Sequence, residues 1–172
     1  MDPSHKIGIP EAFRYPPFYR KGETEVKLGS ADRSYFSAAF ISDILYLQQP
    51  NLAMSWPWQE KTNFFHLFWQ NNRENIRQLF RKRQRGAVRE PMLRAIAGLI
   101  DQIYLCSGLP VSTSKPDSLL TKMTPIFCAP LNCEERVAYL LQCPDRYQAF
   151  IQLNELEEEL NKKIMLARSK RV

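Results

Sequence analysis

The sequence predicts an all-α protein: a single compact helical domain of about five main helices, carrying an extended N-terminal arm rich in proline and aromatic residues. Three observations predict it. Beyond residue 32, apolar residues recur at three and four positions, the spacing of one helix face. The same region is dominated by Leu, Ile, Ala, Gln, Glu, Arg and Lys, side chains that mostly lose little freedom in a helix. Glycines number only six and are scattered. Hydrophobic residues make up 44% of the chain, enough for a sizeable core.

The arm covers residues 1–31 and the helical domain residues 32–172. Pro3, Pro10, Pro16 and Pro17, with Gly8, Gly22 and Gly29, exclude a long helix in the arm. The first helix is predicted from Asp32 to Gln49, stopped by Pro50; its apolar residues point almost all round the cylinder, the pattern of a buried helix. A loop with Trp56-Pro57-Trp58 precedes a second helix from Thr62 to Arg85. There Phe65, Phe68, Trp69, Ile76, Leu79 and Phe80 form one stripe, and Gly86 fits a left-handed cap. The third helix starts near Arg89 with Pro91 in its first turn, where a missing N–H does no harm, and stops at Ser107-Gly108-Leu109-Pro110. A short helix spans Asp117 to Met123. The fourth main helix opens at Asn132, which with Glu135 fits a reciprocal cap. Pro144 ends it, and the last helix runs from Asp145 to Arg168, with Glu158–Lys162 and Glu159–Lys163 as favourable pairs.

Several function classes find no support. No phosphate-cradling glycine loop and no nucleophile elbow can be built from these glycine positions, so no cofactor and no catalytic residue is assigned, and the balance leans away from an enzyme. The cysteines at 106, 128, 133 and 143 lack the paired spacing of metal ligands, and only His5 and His66 could join them. The expectation is no metal and four free thiols in a reducing, cytoplasmic compartment. Residues 1–20 do not read as a signal peptide, and no run of about 18 uncharged apolar residues suggests a membrane span.

Two polar residues interrupt apolar faces. Asp43 shares a face with Phe36, Phe40 and Leu47. It reads either as an acid–base group or, preferentially, as half of a structural ion pair with Arg14 or Arg73. Asn72 reads as a core amide bonded to backbone or water.

Charge is concentrated in one place. The whole chain has a net charge of +6, and the tract Arg73 to Arg94 alone accounts for it. Arg73, Arg77, Arg81 and Arg85 recur every four residues and form a shallow spiral beside the apolar stripe. With Lys82 and Arg89 at its edges, this ridge is a candidate nucleic-acid contact through phosphates; the plainer alternative is a solvated helix face. Phe13, Tyr15, Phe18, Trp56 and Trp58 are candidate partner-binding residues in apolar loop segments. Their plainer alternative is packing on the protein's own helices.

The chain resembles the bacterial YpoC-like family of Gram-positive firmicutes. The resemblance lies in Ile9-Pro10 and Phe13-Arg14-Tyr15-Pro16-Pro17-Phe18, in Pro57-Trp58 before Leu67-Phe68-Trp69, and in Glu135-Arg136-Val137. It continues through Pro144, Tyr147, Phe150 and the stretch from Gln152-Leu153 to Glu159-Leu160. It implies a small cytoplasmic helical protein and supplies no functional residue to carry over. The reading that results is a non-enzymatic protein-interaction module or adaptor with an unknown protein partner. The alternative is a nucleic-acid-associated protein using the ridge Arg73 to Arg94.

Overall fold

The computed structural model describes residues 5–28, 37–48, 57 and 60–170. Among them are two short strands, β1 (His5–Gly8) and β2 (Glu25–Leu28), and six α-helices. The helices are α1 (Ile41–Gln48), α2 (Phe64–Arg81), α3 (Arg85–Leu105), α4 (Pro116–Met123), α5 (Cys133–Gln142) and α6 (Tyr147–Ser169). The protein is therefore all-α in its bulk, the predicted main helices being joined by the predicted short one. No described helix is long and apolar enough to cross a membrane.

The strands correct the expectation of a sheet-free chain. They pair antiparallel, with Ile7 opposite Val26 and Gly8 opposite Glu25, and close the arm into a ribbon. The arm's interior is apolar: Ile9, Phe13 and Tyr19 are buried. Its backbone is tied to the loop before α4, where Ser114 N–H donates to Ala12 O at 3.0 Å and the Ser114 hydroxyl to Phe13 O at 2.8 Å. Tyr19 donates to Ala39 O at 2.6 Å, and Gln48 Nε2 to Gly8 O at 2.7 Å.

The described part of the first helix starts at Ile41, after a non-helical stretch at 37–40; the predicted start at Asp32 lies outside the described residues. Phe40 has φ 56°, a left-handed conformation that a continuing helix does not use. This bend delivers the Phe40 ring between Phe13 and Phe18, with centroids 6.0 and 4.8 Å away.

The helix α3 forms the axis of the core. From Met92 to Tyr104 every residue except Arg94 is buried, so this stretch of the helix is covered almost all round. The helices α2 and α6 pack on it, and α5 bridges α4 and α6.

The predicted corner between α2 and α3 is displaced. The turn lies at Lys82–Gln84, with Arg83 left-handed at φ 54° and Gln84 N–H donating back to Leu79 O at 3.1 Å. Gly86 lies inside α3, and Pro91 sits in its second turn rather than its first. At the start of α5, Asn132 is left-handed at φ 54° and its side chain caps nothing. On α6, Glu159 reaches across to Arg136 at 2.9 Å instead of along the helix to Lys163. Lys163 in turn donates to Ala129 O.

The four thiols are not all free. Cys106, just past α3, is bonded to Cys128 in the loop before α5, their Cα atoms 6.4 Å apart. Cys133 and Cys143 are the free ones. Nothing in the spacing of the cysteines marked this pair, because the contact arises only when the end of α3 meets that loop.

Candidate functional site

Arginine and lysine dominate the tract around the α2–α3 turn because nothing in the core requires that turn to be apolar. Arg81, Lys82, Arg83, Arg85, Arg89 and Arg94 are exposed. None has a carboxylate within ion-pair distance among the described residues. Six cations thus surround one helical corner with little local neutralisation, and their potential adds. The ridge is not uniform along α2. Arg77 pairs with Glu74 at 2.5 Å, and its guanidinium lies 5.5 Å from the centre of the Phe150 ring. Arg73 is half-buried. The free positive surface is therefore at the C-terminal end of α2 and the first half of α3.

Beside this corner lies a cleft of about 800 Å³, closed on its other side by the turn between α5 and α6. Phe80 and Val88 form part of its floor; Arg83, Arg85 and Arg146 contribute guanidinium groups, and Asp145 the only carboxylate of the lining. Tyr147, half-exposed, forms a wall. It lies nearly parallel to Phe150, 16° apart with centroids at 5.7 Å, and Phe80 meets it edge-on at 5.5 Å. Arg83, Arg146 and Tyr147 were not among the predicted site residues, and Tyr147 stood out only in the family resemblance; the break at Pro144 was legible, but its meeting with the α2–α3 corner is invisible to local pattern.

A second constellation is buried. Asp43 has no cationic partner among the described residues, contrary to the ion pair expected with Arg14 or Arg73; Arg14 Nε donates to Ile9 O instead. Asp43 faces Asp101 of α3, and its Oδ1 accepts the Val111 N–H at 2.8 Å. Burial pushes the Asp43 carboxyl up to about 6, and the hydrogen bond with Asp101 opposes that rise. Asp101 is raised well above the usual carboxylate range by burial, and further by the charge of Asp43. Two buried carboxyls that influence each other in this way disfavour simultaneous ionisation, so at least one favours its protonated form. Tyr104 nearby is pushed up to about 12 by burial and then by Asp43.

A third polar group pins three helices together. Glu157 of α6 is buried and accepts from Gln102 Nε2 at 2.8 and 3.0 Å and meets His66 Nδ1 at 3.1 Å. Asn63 donates to Gln102 Oε1 at 2.9 Å and accepts the His66 N–H at 3.1 Å, capping α2. Burial raises the Glu157 carboxyl, and its bonds to His66 and Gln102 oppose this. Asn63, His66 and Gln102 are thereby tied to one another and to Glu157, which suits positioning of helices more than turnover of a substrate. No cluster of three His, Cys, Asp or Glu able to hold a metal occurs among the described residues.

The remaining sequence candidates are dispersed. Phe13 is fully buried, Tyr15 and Phe18 are half-buried, and Trp56 and Trp58 lie outside the described residues. Asn72 is half-buried and donates to Phe68 O at 2.8 Å, as a core amide should.

Comparison with known proteins gives one family and one curated relative. A model of the family described as YpoC-like protein matches residues 59–171, which includes the basic corner and the cleft but not the arm. Over 109 residues the chain is 29% identical to the "Uncharacterized protein YpoC" of Bacillus subtilis (strain 168). That alignment covers 62% of this chain and 65% of the relative, so the chain spans slightly less than two thirds of the relative's length. No solved structure matches.

Proposed function

The chain belongs to the YpoC-like protein family, and we propose that it binds nucleic acid through the phosphate backbone, using the basic corner between α2 and α3. One observation carries this reading: Arg81, Lys82, Arg83, Arg85 and Arg89 are exposed around a single turn with no carboxylate at ion-pair distance among the described residues. Exposed cations held together against their mutual repulsion are stabilised when a polyanion displaces its counterions onto solvent. Such contacts position a nucleic acid without reading its sequence.

The test is charge reversal at Arg81 and Arg85, both exposed and away from the core. The double variant R81E/R85E should fold as the parent does and lose at least tenfold in affinity for a short oligonucleotide at low salt. Unchanged affinity in a folded variant would defeat the reading.

A second reading, an adaptor with a protein partner, is supported by Leu109, Phe127 and Leu131, which are 65, 61 and 75% exposed. The disulfide between Cys106 and Cys128 tethers the loops of the first two. R81E/R85E leaves these side chains untouched. A protein captured equally by parent and variant after nuclease treatment supports the adaptor; capture that vanishes with nuclease contradicts it.

A further inference from the structure

We propose that the cleft between the α2–α3 and α5–α6 corners binds an unpaired nucleotide, its base stacked on Tyr147 and its phosphates on Arg83, Arg85 and Arg146. This rests on the nucleic-acid reading above and narrows it to single strands.

The cleft has the size for such a ligand. Its volume of about 800 Å³ falls in the range of roughly 300–1,000 Å³ usual for small-molecule and cofactor sites. Its chemistry is split as a nucleotide is split. Phe80 and Tyr147 are aromatic, and the three guanidinium groups outnumber the single carboxylate, Asp145. No ion pair among the described residues engages Arg83, Arg85 or Arg146.

Tyr147 is suited to stacking because its ring is held from behind. Phe150 lies nearly parallel to it, Phe80 contacts it edge-on, and the Arg77 guanidinium sits over the Phe150 ring. The tyrosine nevertheless keeps 49% of its surface open. A rigid, half-open aromatic beside unpaired cations is the arrangement that single-strand binders use. In a duplex both faces of each base are already occupied by neighbours, so a paired strand offers phosphates to the corner but no face to Tyr147. The shared ligand chemistry is an unpaired base with its phosphates, in RNA or DNA.

Binding of labelled 12-nucleotide oligo(dT), oligo(U) and a 12-base-pair duplex to the full chain, followed by fluorescence anisotropy, tests the assignment. The parent should bind the single strands more tightly than the duplex. Tyr147→Ala should weaken single-strand binding by roughly tenfold, the loss of one base–aromatic stack, and leave duplex binding unchanged, while Tyr147→Phe keeps the parent's affinity. The free thiol of Cys143, which lines the same cleft, gives a readout that needs no variant: oligonucleotide should slow its reaction with a thiol reagent. Relative affinity for oligo(dT) and oligo(U) separates DNA from RNA as the source. Equal binding of single strand and duplex, with no protection of Cys143, overturns the cleft while the basic corner stands. An acidic polypeptide such as polyglutamate that binds and protects Cys143 as well as oligo(dT) also overturns it. Failure of every nucleic acid to bind overturns both readings together.

Discussion

At the scale of single residues, the Asp43–Asp101 pair is where burial and charge conflict most. Both carboxyls are buried, with Val111 N–H on Asp43 Oδ1, while Tyr104 and Tyr19 are the titratable groups closest in influence. The folded-state value of Asp43 lies at about 6, above its ordinary 3.8. A carboxyl raised in this way favours the fold in its protonated form. Its contribution is complete below the ordinary value and is lost as pH rises through about 6, and Asp101, raised further, extends the loss upward. Between the two values, stability falls by up to about 1.4 kcal/mol for each pH unit and each proton. Asp101→Asn supplies a permanent donor to Asp43 and removes one charge. Its melting temperature should exceed that of the parent at pH 8, with a flatter dependence between pH 4.5 and 8. Parallel curves would show that the two carboxyls do not influence each other's ionisation. The sequence marked Asp43 as anomalous through its aromatic face but not its partner, because Asp101 sits in an α3 stretch that reads as ordinary helix. Which carboxyl meets which depends on tertiary placement that no local pattern encodes.

At the scale of elements, most helices were legible, and the corner between α2 and α3 was not. The stripe Phe65, Phe68, Trp69, Ile76, Leu79 and Phe80 predicted α2; Phe65, Trp69 and Ile76 are buried, and Phe68, Leu79 and Phe80 are half-buried. The corner was placed at Gly86 because glycine adopts a left-handed cap without strain, yet Arg83 takes that conformation. The left-handed region costs a non-glycine residue on the order of 1 kcal/mol, and here the return bond from Gln84 N–H to Leu79 O and the docking of Val88 against the core outweigh it. Arg83→Gly should therefore raise thermal stability by roughly 1 kcal/mol, measured by denaturant titration. In the same variant, affinity for single-stranded oligonucleotide should fall, because the guanidinium is lost from the cleft. Loss of stability in Arg83→Gly would show that the arginine side chain itself holds the corner. The displaced corner also explains what was missed at the site. A turn at Lys82–Gln84 brings Arg83 and Arg85 to the cleft beside the α5–α6 corner, whereas a helix continued to Arg85 would have strung Arg85 along one spiral with Arg73, Arg77 and Arg81.

At the scale of the whole molecule, the charge segregation seen in the sequence survives folding. Carboxylates of neighbouring helices could have neutralised the tract, but they are engaged elsewhere. Glu159 and Glu155 engage Arg136, Glu157 engages His66 and Gln102, and Glu134 accepts from Thr124. These interactions leave the α2–α3 corner to solvent. The amount of positive charge was thus readable from composition, but its exposure depended on where six helices place their acids. The most direct test is the salt dependence of binding to duplex DNA. About four to five phosphates neutralised at the corner should give a slope of log K against log salt of roughly −4, reduced in magnitude by about two in R81E/R85E. A slope near zero, or a steep slope unaltered by those two reversals, would contradict the assignment of the corner as the nucleic-acid contact.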